Sequence, residues 1–141
     1  MKVRDVLADK ADVIYSIAPE EPVLAALQMM SDHSIGALLV MNGEELLGVV
    51  SERDYARKIA LMRRSSAETP VWQIMSTPVI SVDLDTTVNT CMMLVTDKRI
   101  RHLPVVADTR VVGVLSIGDL VRAVIEAQER EIADLRRFIA S

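Results

Sequence analysis

The chain repeats itself. Gly48-Val49-Val50-Ser51-Glu52-Arg53-Asp54 returns 65 positions later as Gly113-Val114-Leu115-Ser116-Ile117-Gly118-Asp119. The same offset carries Val23 onto Val88, Ile35 onto Ile100, Leu38 onto Leu103, Val40 onto Val105 and Leu46 onto Val111 without a gap. Nearer the start, an offset of 68 relates Val3-Arg4-Asp5-Val6-Leu7 to Val71-Trp72-Gln73-Ile74-Met75, so the first half carries three extra residues within 8–13. An internal repeat of this period governs every other reading of the chain. A length of 141 residues then holds one ordinary domain or two very small ones sharing a core.

In each copy an apolar run meets a glycine, two more apolar residues, a serine, and an aspartate three positions later. That is a strand ending in a helix start. Ser-x-x-Asp is a capping-box pattern that satisfies the orphan amides of a helix N-terminus. The same free amides and the positive end of the helix dipole also suit an anion. A single copy speaks for a cap; two copies at equivalent junctions raise the binding reading beside it.

Each half reads as short helix, strand, helix, strand, strand, helix. Val13 to Ile17 and Val79 to Val82 are the first strands. Pro22 to Met30 and Thr87 to Thr96 place apolar residues at helical spacing, with Pro22 in the first turn of one and Asp85 or Thr86 as the cap of the other. Ala37 to Met41 and Leu46 to Val50 form a hairpin across Asn42-Gly43, repeated by Leu103 to Val106 and Val111 to Leu115 with Asp108-Thr109 near the tip. These strands are continuously apolar, which predicts cover on both faces. Residues 1–64 form the first repeat, 65–70 a polar linker ending in Thr69-Pro70, and 71–126 the second. The last helix has no stop signal and runs past Arg137, so residues 127–141 form a helical extension, and a partner chain suits the part after Glu126.

Half of the residues are hydrophobic and few are aromatic, so the core is aliphatic, with Met29, Met30, Met92 and Met93 as fillers. A net charge of -4 argues against a phosphate-backbone footprint on nucleic acid. Lone Cys91 offers neither a disulfide nor a paired metal site. There is no apolar run of membrane-spanning length and no signal-peptide pattern, which predicts a cytoplasmic protein with no membrane or nucleic-acid partner.

The paired G-h-h-S-x-x-D phrases (h, an apolar residue), together with Ile100-Arg101-His102-Leu103-Pro104-Val105 and Ile74-Met75-Ser76-Thr77-Pro78-Val79, resemble the tandem cystathionine β-synthase (CBS) domain pair, or Bateman module. Ser51 to Lys58 is similar to its small stand-alone bacterial members. The resemblance spans Val3 to about Ile125. It implies an α/β (α+β) fold in which two β-α-β-β-α repeats pack sheet to sheet about a pseudo-twofold axis, with two clefts between them that hold adenosine-containing ligands in many members. It also implies a homodimer, and a regulatory rather than catalytic role.

An ionised carboxylate accepts hydrogen bonds from two neighbouring ribose hydroxyls, which suits Asp54 and Asp119, and Ser51 and Ser116 stand one turn away to supply hydroxyls toward a phosphate. By the family's geometry, Ser51 and Asp54 face Thr77, Val79 and Ile80 with Arg101 and His102. Ser116 and Asp119 face the stretch from Asp12 through Ile14 to Tyr15 and the Gly36-Ala37 segment. Arg53, Arg57, Arg101 and His102 make the Asp54 cleft the expected phosphate site, the Asp119 cleft having Ile117 and Gly118 instead. His33 is expected to be exposed and Trp72 to pack. The expected ligand is AMP, ADP, ATP or NAD(H), with no metal; the alternative is a ligand-free dimerisation or protein-interaction module with an unidentified target. No glycine-rich phosphate loop and no His-based metal or acid/base spacing supports an enzyme.

Overall fold

The computed structural model describes residues 1–10 and 13–140. The first half contributes α1 (Val3–Ala8), β1 (Ser16–Ile17), α2 (Val23–His33), β2 (Ala37–Asn42), β3 (Glu45–Ser51) and α3 (Glu52–Tyr55), which continues as a π-turn over Ala56–Ala60. The second contributes a 3-10 turn (Val71–Gln73), α4 (Val88–Asp97), β4 (His102–Ala107), β5 (Arg110–Ser116) and the long α5 (Ile117–Ala140). β1 runs parallel to β2, which pairs antiparallel with β3, while β4 and β5 form the equivalent hairpin. The counterpart of β1 is reduced to one parallel bridge, Val82 to Val105.

Local chemistry explains the element ends. Pro22 has its fixed φ at the start of α2, and Ser34 closes that helix in the left-handed region at φ 52°. Thr87, rather than Asp85 or Thr86, caps α4 by accepting from the Thr90 amide at 3.1 Å. Thr86 instead closes a turn with Asp83. The second hairpin turns at Asp108 and Thr109, both at positive φ. The first turns one residue later than its Asn-Gly signal predicts, because Asn42 still pairs with Glu45 and only Gly43 has positive φ. Full cover of the strands holds for the inner ones: Leu38, Leu39 and Val40 are buried in a row, whereas β3 alternates buried and partly exposed residues.

The two halves exchange their leading segments. Val3 donates its amide to Thr86 and Val88 donates to Met1; in mirror fashion Val71 donates to Glu21 and Val23 to Thr69. Under the two offsets these are the same pair of bonds made twice. Val3 is accordingly buried among Val82, Val88, Cys91, Leu103, Val105, Leu115 and Leu120, whereas Val71 and Ile74 are buried among Ile17, Val23, Ala26, Leu38, Val40 and Ile59. Each aliphatic core is therefore completed by residues from the other half's stretch of sequence.

The glycine of the repeated phrase is where the exchanged segments land. A Cβ on Gly113 would stand 2.8 Å from Leu7, and one on Gly48 would stand 2.6 Å from Met75 and 3.1 Å from the Ser76 carbonyl. Leu7 and Met75 are themselves repeat equivalents. Glycine thus admits the opposite half's side chain directly onto the strand, three residues before the serine.

Candidate functional site

At the first junction Ser51 caps α3: its Oγ accepts from the Asp54 amide at 3.2 Å, and Asp54 Oδ2 accepts from the Ser51 amide at 3.0 Å. The capping reading is therefore realised in full. Asp54 is 8% exposed, and its other oxygen accepts from Ser76 Oγ at 3.1 Å and pairs with Lys58 at 3.3 Å. Ser76 is fixed by reciprocal backbone bonds to Val49, so the opposite half supplies part of this carboxylate's surroundings. Thr77 follows, exposed, and Val79 is partly buried; Ile80 packs against the second core. Arg53 reaches across to the Arg99 carbonyl at 3.1 Å.

At the second junction Ser116 and Asp119 form the same reciprocal pair, at 3.1 and 2.8 Å. Here the carboxylate has acquired two cations. Lys10 reaches over from the first half to Oδ2 at 2.7 Å and also donates to the Val114 carbonyl, and Arg122 holds Oδ1 at 2.7 Å. Burial disfavours the charged form, but the hydrogen bonds from Lys10 and the Ser116 amide outweigh it and hold the Asp119 carboxyl below its ordinary 3.8. A cavity of about 670 Å³ opens beside this cluster, between α1 and α5, lined by Asp5, Asp9, Lys10, Asp119, Arg122 and Glu126 among others. Ile14 lines a small recess with Lys10 and Val114 next to it.

Arg101 and His102 lie where β4 begins, and the strand register sets His102 opposite Ser116. The Arg101 carbonyl accepts from the Ile117 amide, as the Gly36 carbonyl accepts from Glu52. Gly36 faces the His102 ring, and Ala37 pairs with Ser51. His102 thus sits between the junctions, within the electrostatic reach of Lys10 and Asp119 on one side and Glu52 on the other. Burial pushes its imidazole below the ordinary 6.5, and Lys10 acts in the same direction. Tyr15 stacks on exposed His33 with ring centroids 4.0 Å apart, while its carbonyl accepts from Leu39. Trp72 is half exposed. Asp12 lies outside the described residues.

Lys10 and Arg122 were not singled out from the sequence. Arg122 is the repeat equivalent of Arg57, so the cations that distinguish the first phrase have a counterpart that alignment alone reveals. Lys10 falls in the segment where the repeat offset changes, and no periodicity marks it. Among the described residues no cluster of three His, Cys, Asp or Glu side chains is placed to hold a metal, and no helix is long and apolar enough to cross a membrane.

The comparisons with known proteins agree with the duplicated architecture. The family described as "CBS domain" matches twice, over residues 3–61 and 71–126. The chain is 42% identical over 125 residues to the CBS domain-containing protein CBSX3, mitochondrial, of Arabidopsis thaliana; the match covers 85% of this chain and 61% of that protein. It also superposes on a CBS-domain protein from Burkholderia ambifaria with a TM-score of 0.87 at 41% identity, covering 91% of this chain and 96% of the other. The CBS domain pair of protein MJ0100, in complex with 5'-methylthioadenosine and S-adenosyl-L-methionine, shares the fold with a TM-score of 0.78 at 22% identity, covering 90% and 98% of the two chains.

Proposed function

The chain belongs to the CBS domain family, and from that premise we propose that it is a regulatory module that binds an adenosine-containing ligand, AMP, ADP, ATP or NAD(H), beside Asp119. The observation that carries this reading is the 670 Å³ cavity at that carboxylate. Its volume lies within the roughly 300 to 1,000 Å³ of small-molecule sites. Asp119 offers the acceptor fork for a ribose diol, Val6 and Ala123 in the cavity wall offer an apolar flank for the base, and the recess at Ile14 and Val114 adjoins through Lys10. Lys10 and Arg122 already stand on Asp119. A ribose that takes both oxygens displaces these two cations, and they turn to the ligand's phosphate. That exchange makes the site selective for a phosphorylated nucleoside, since the acidic Asp5, Asp9 and Glu126 nearby repel an anion that Lys10 and Arg122 do not hold. Crystals of the MJ0100 domain pair hold two adenosine-containing molecules on the same fold; their relevance here is the fold alone.

The regulatory consequence follows from the exchanged segments. Lys10 belongs to the first half and Asp119 to the second, so a ligand that separates them acts on the contact between the halves. Coupling through such a contact is typically about 1 to 3 kcal/mol. The competing reading, a ligand-free dimerisation module, draws support from the exposed apolar side chains along α5.

A thermal-shift screen of AMP, ADP, ATP, NAD, NADH and S-adenosylmethionine separates the two. A ligand at about 100 times its dissociation constant adds roughly 2.7 kcal/mol, and each kcal/mol raises the midpoint by roughly 2 to 4 °C in a chain near this size. The binding reading expects such a rise with a ribonucleotide and a smaller one with its 2'-deoxy form. No rise with any of the six would overturn it.

A further inference from the structure

The second half of α5 leaves the body of the protein. Every residue from Glu131 to Ala140 is exposed, yet the helix is continuous from Ile117. A helical segment of this length is marginal in water without tertiary packing. Its apolar residues are not scattered. Val121, Ile125, Ile132, Leu135 and Ile139 are 40%, 48%, 49%, 54% and 82% exposed, and with Gln128 they follow one another at alternating steps of four and three. That is an a/d heptad register, apolar except at Gln128, about 27 Å long at 1.5 Å per residue. Leu120 and Val124, which pack α5 against the second core, lie off the stripe, so covering the stripe leaves the core undisturbed.

We propose that this stripe pairs with the same stripe of a second copy as a parallel two-stranded coiled coil. Charge decides both the occupant and the direction. In a parallel pair, Glu131 at a g position meets the partner's Arg136 at e, twice by symmetry, and neither residue makes an ion pair within the chain among the described residues. In an antiparallel pair with the stripes fully overlapped, Glu129 would face the partner's Glu129, Glu131 the partner's Glu131, and Arg122 the partner's Arg136. Residues at e and g select orientation in this way. Gln128 falls at a d position, where parallel pairing sets it against its own copy and a register slip would bury it against an aliphatic residue. The alternative of an anionic membrane surface has no cationic face to use: Arg122, Arg130, Arg136 and Arg137 are offset by Asp119, Glu126, Glu129, Glu131 and Asp134.

Sedimentation of the full chain at micromolar concentration tests the pairing. Ile132→Asp, at an exposed position beyond the body, is expected to halve the assembled mass and to lose helical circular dichroism only from the last turns of α5, while the melting midpoint of the body holds. Arg136→Glu is expected to weaken assembly at least tenfold, and the exchange Glu131→Arg with Arg136→Glu to restore it. A Leu135→Cys variant is expected to cross-link to its own copy on mild oxidation, since the native Cys91 is buried; in the antiparallel arrangement Leu135 would lie opposite Ile125. An assembled mass unchanged by Ile132→Asp overturns the interface. Failure of the charge exchange to restore assembly, or of Leu135→Cys to cross-link, overturns the parallel orientation.

Discussion

Asp54 and Asp119 occupy the same place in the same phrase, and their neighbours make them different. Asp54 is tied down by its own cap, by Ser76 and by Lys58 one turn along; Asp119 is met by a lysine from the other half, at the edge of a cavity. Replacing Lys10 by Met is therefore expected to lower AMP affinity about tenfold, the scale of one charge-assisted hydrogen bond, while leaving adenosine affinity unchanged or raised, as read by calorimetric titration. His102 ties stability to pH. Its folded-state value is depressed by burial, so below the ordinary 6.5 the unfolded chain takes up a proton first. Stability is expected to fall as pH drops below that point, and His102→Gln is expected to flatten that part of a melting-temperature profile. The repeated phrase was legible in the sequence as a cap at residue resolution, because a capping box needs those residue types at that spacing. Lys10 was not, because a long flexible cation reaches its partner by tertiary folding and leaves no periodic mark.

Among the elements, the exchanged segments carry the architecture. Ile74, fully buried in the first core although it follows the linker, is expected to cost about 2 to 5 kcal/mol on truncation to Ala, measured by denaturant unfolding. The phrase glycines give a paired test. Gly113→Ala meets only the end of the Leu7 side chain, so Leu7→Val is expected to recover part of a loss of about 1 to 3 kcal/mol. Gly48→Ala also meets the Ser76 carbonyl, so trimming Met75 is expected to recover less. Element order, both hairpins and the long last helix were readable from apolar spacing and turn residues. The exchange was not, since Val3 and Val71 carry the same apolar pattern whichever core they enter. The weak strand at Val79 to Val82 failed for a related reason: one bridge to Val105 satisfies a run that propensity alone would extend.

On the scale of the whole molecule, each half completes the other's core and lends the other's junction a side chain: Ser76 to Asp54 and Lys10 to Asp119. A ligand at either junction is then in contact with both halves, which is what a module that reports binding to another chain requires. The charge ranking that favoured the Asp54 cleft rested on Arg53, Arg57, Arg101 and His102. In the folded chain His102 is set opposite Ser116 and the cavity opens at Asp119, and on that ground we place the ligand at Asp119. Isothermal titration of AMP into the wild type, Asp119→Asn and Asp54→Asn tests that claim most directly. Binding is expected at one site per chain, weakened at least tenfold by Asp119→Asn and changed less than twofold by Asp54→Asn; full affinity in Asp119→Asn with loss in Asp54→Asn would contradict a ligand site at Asp119.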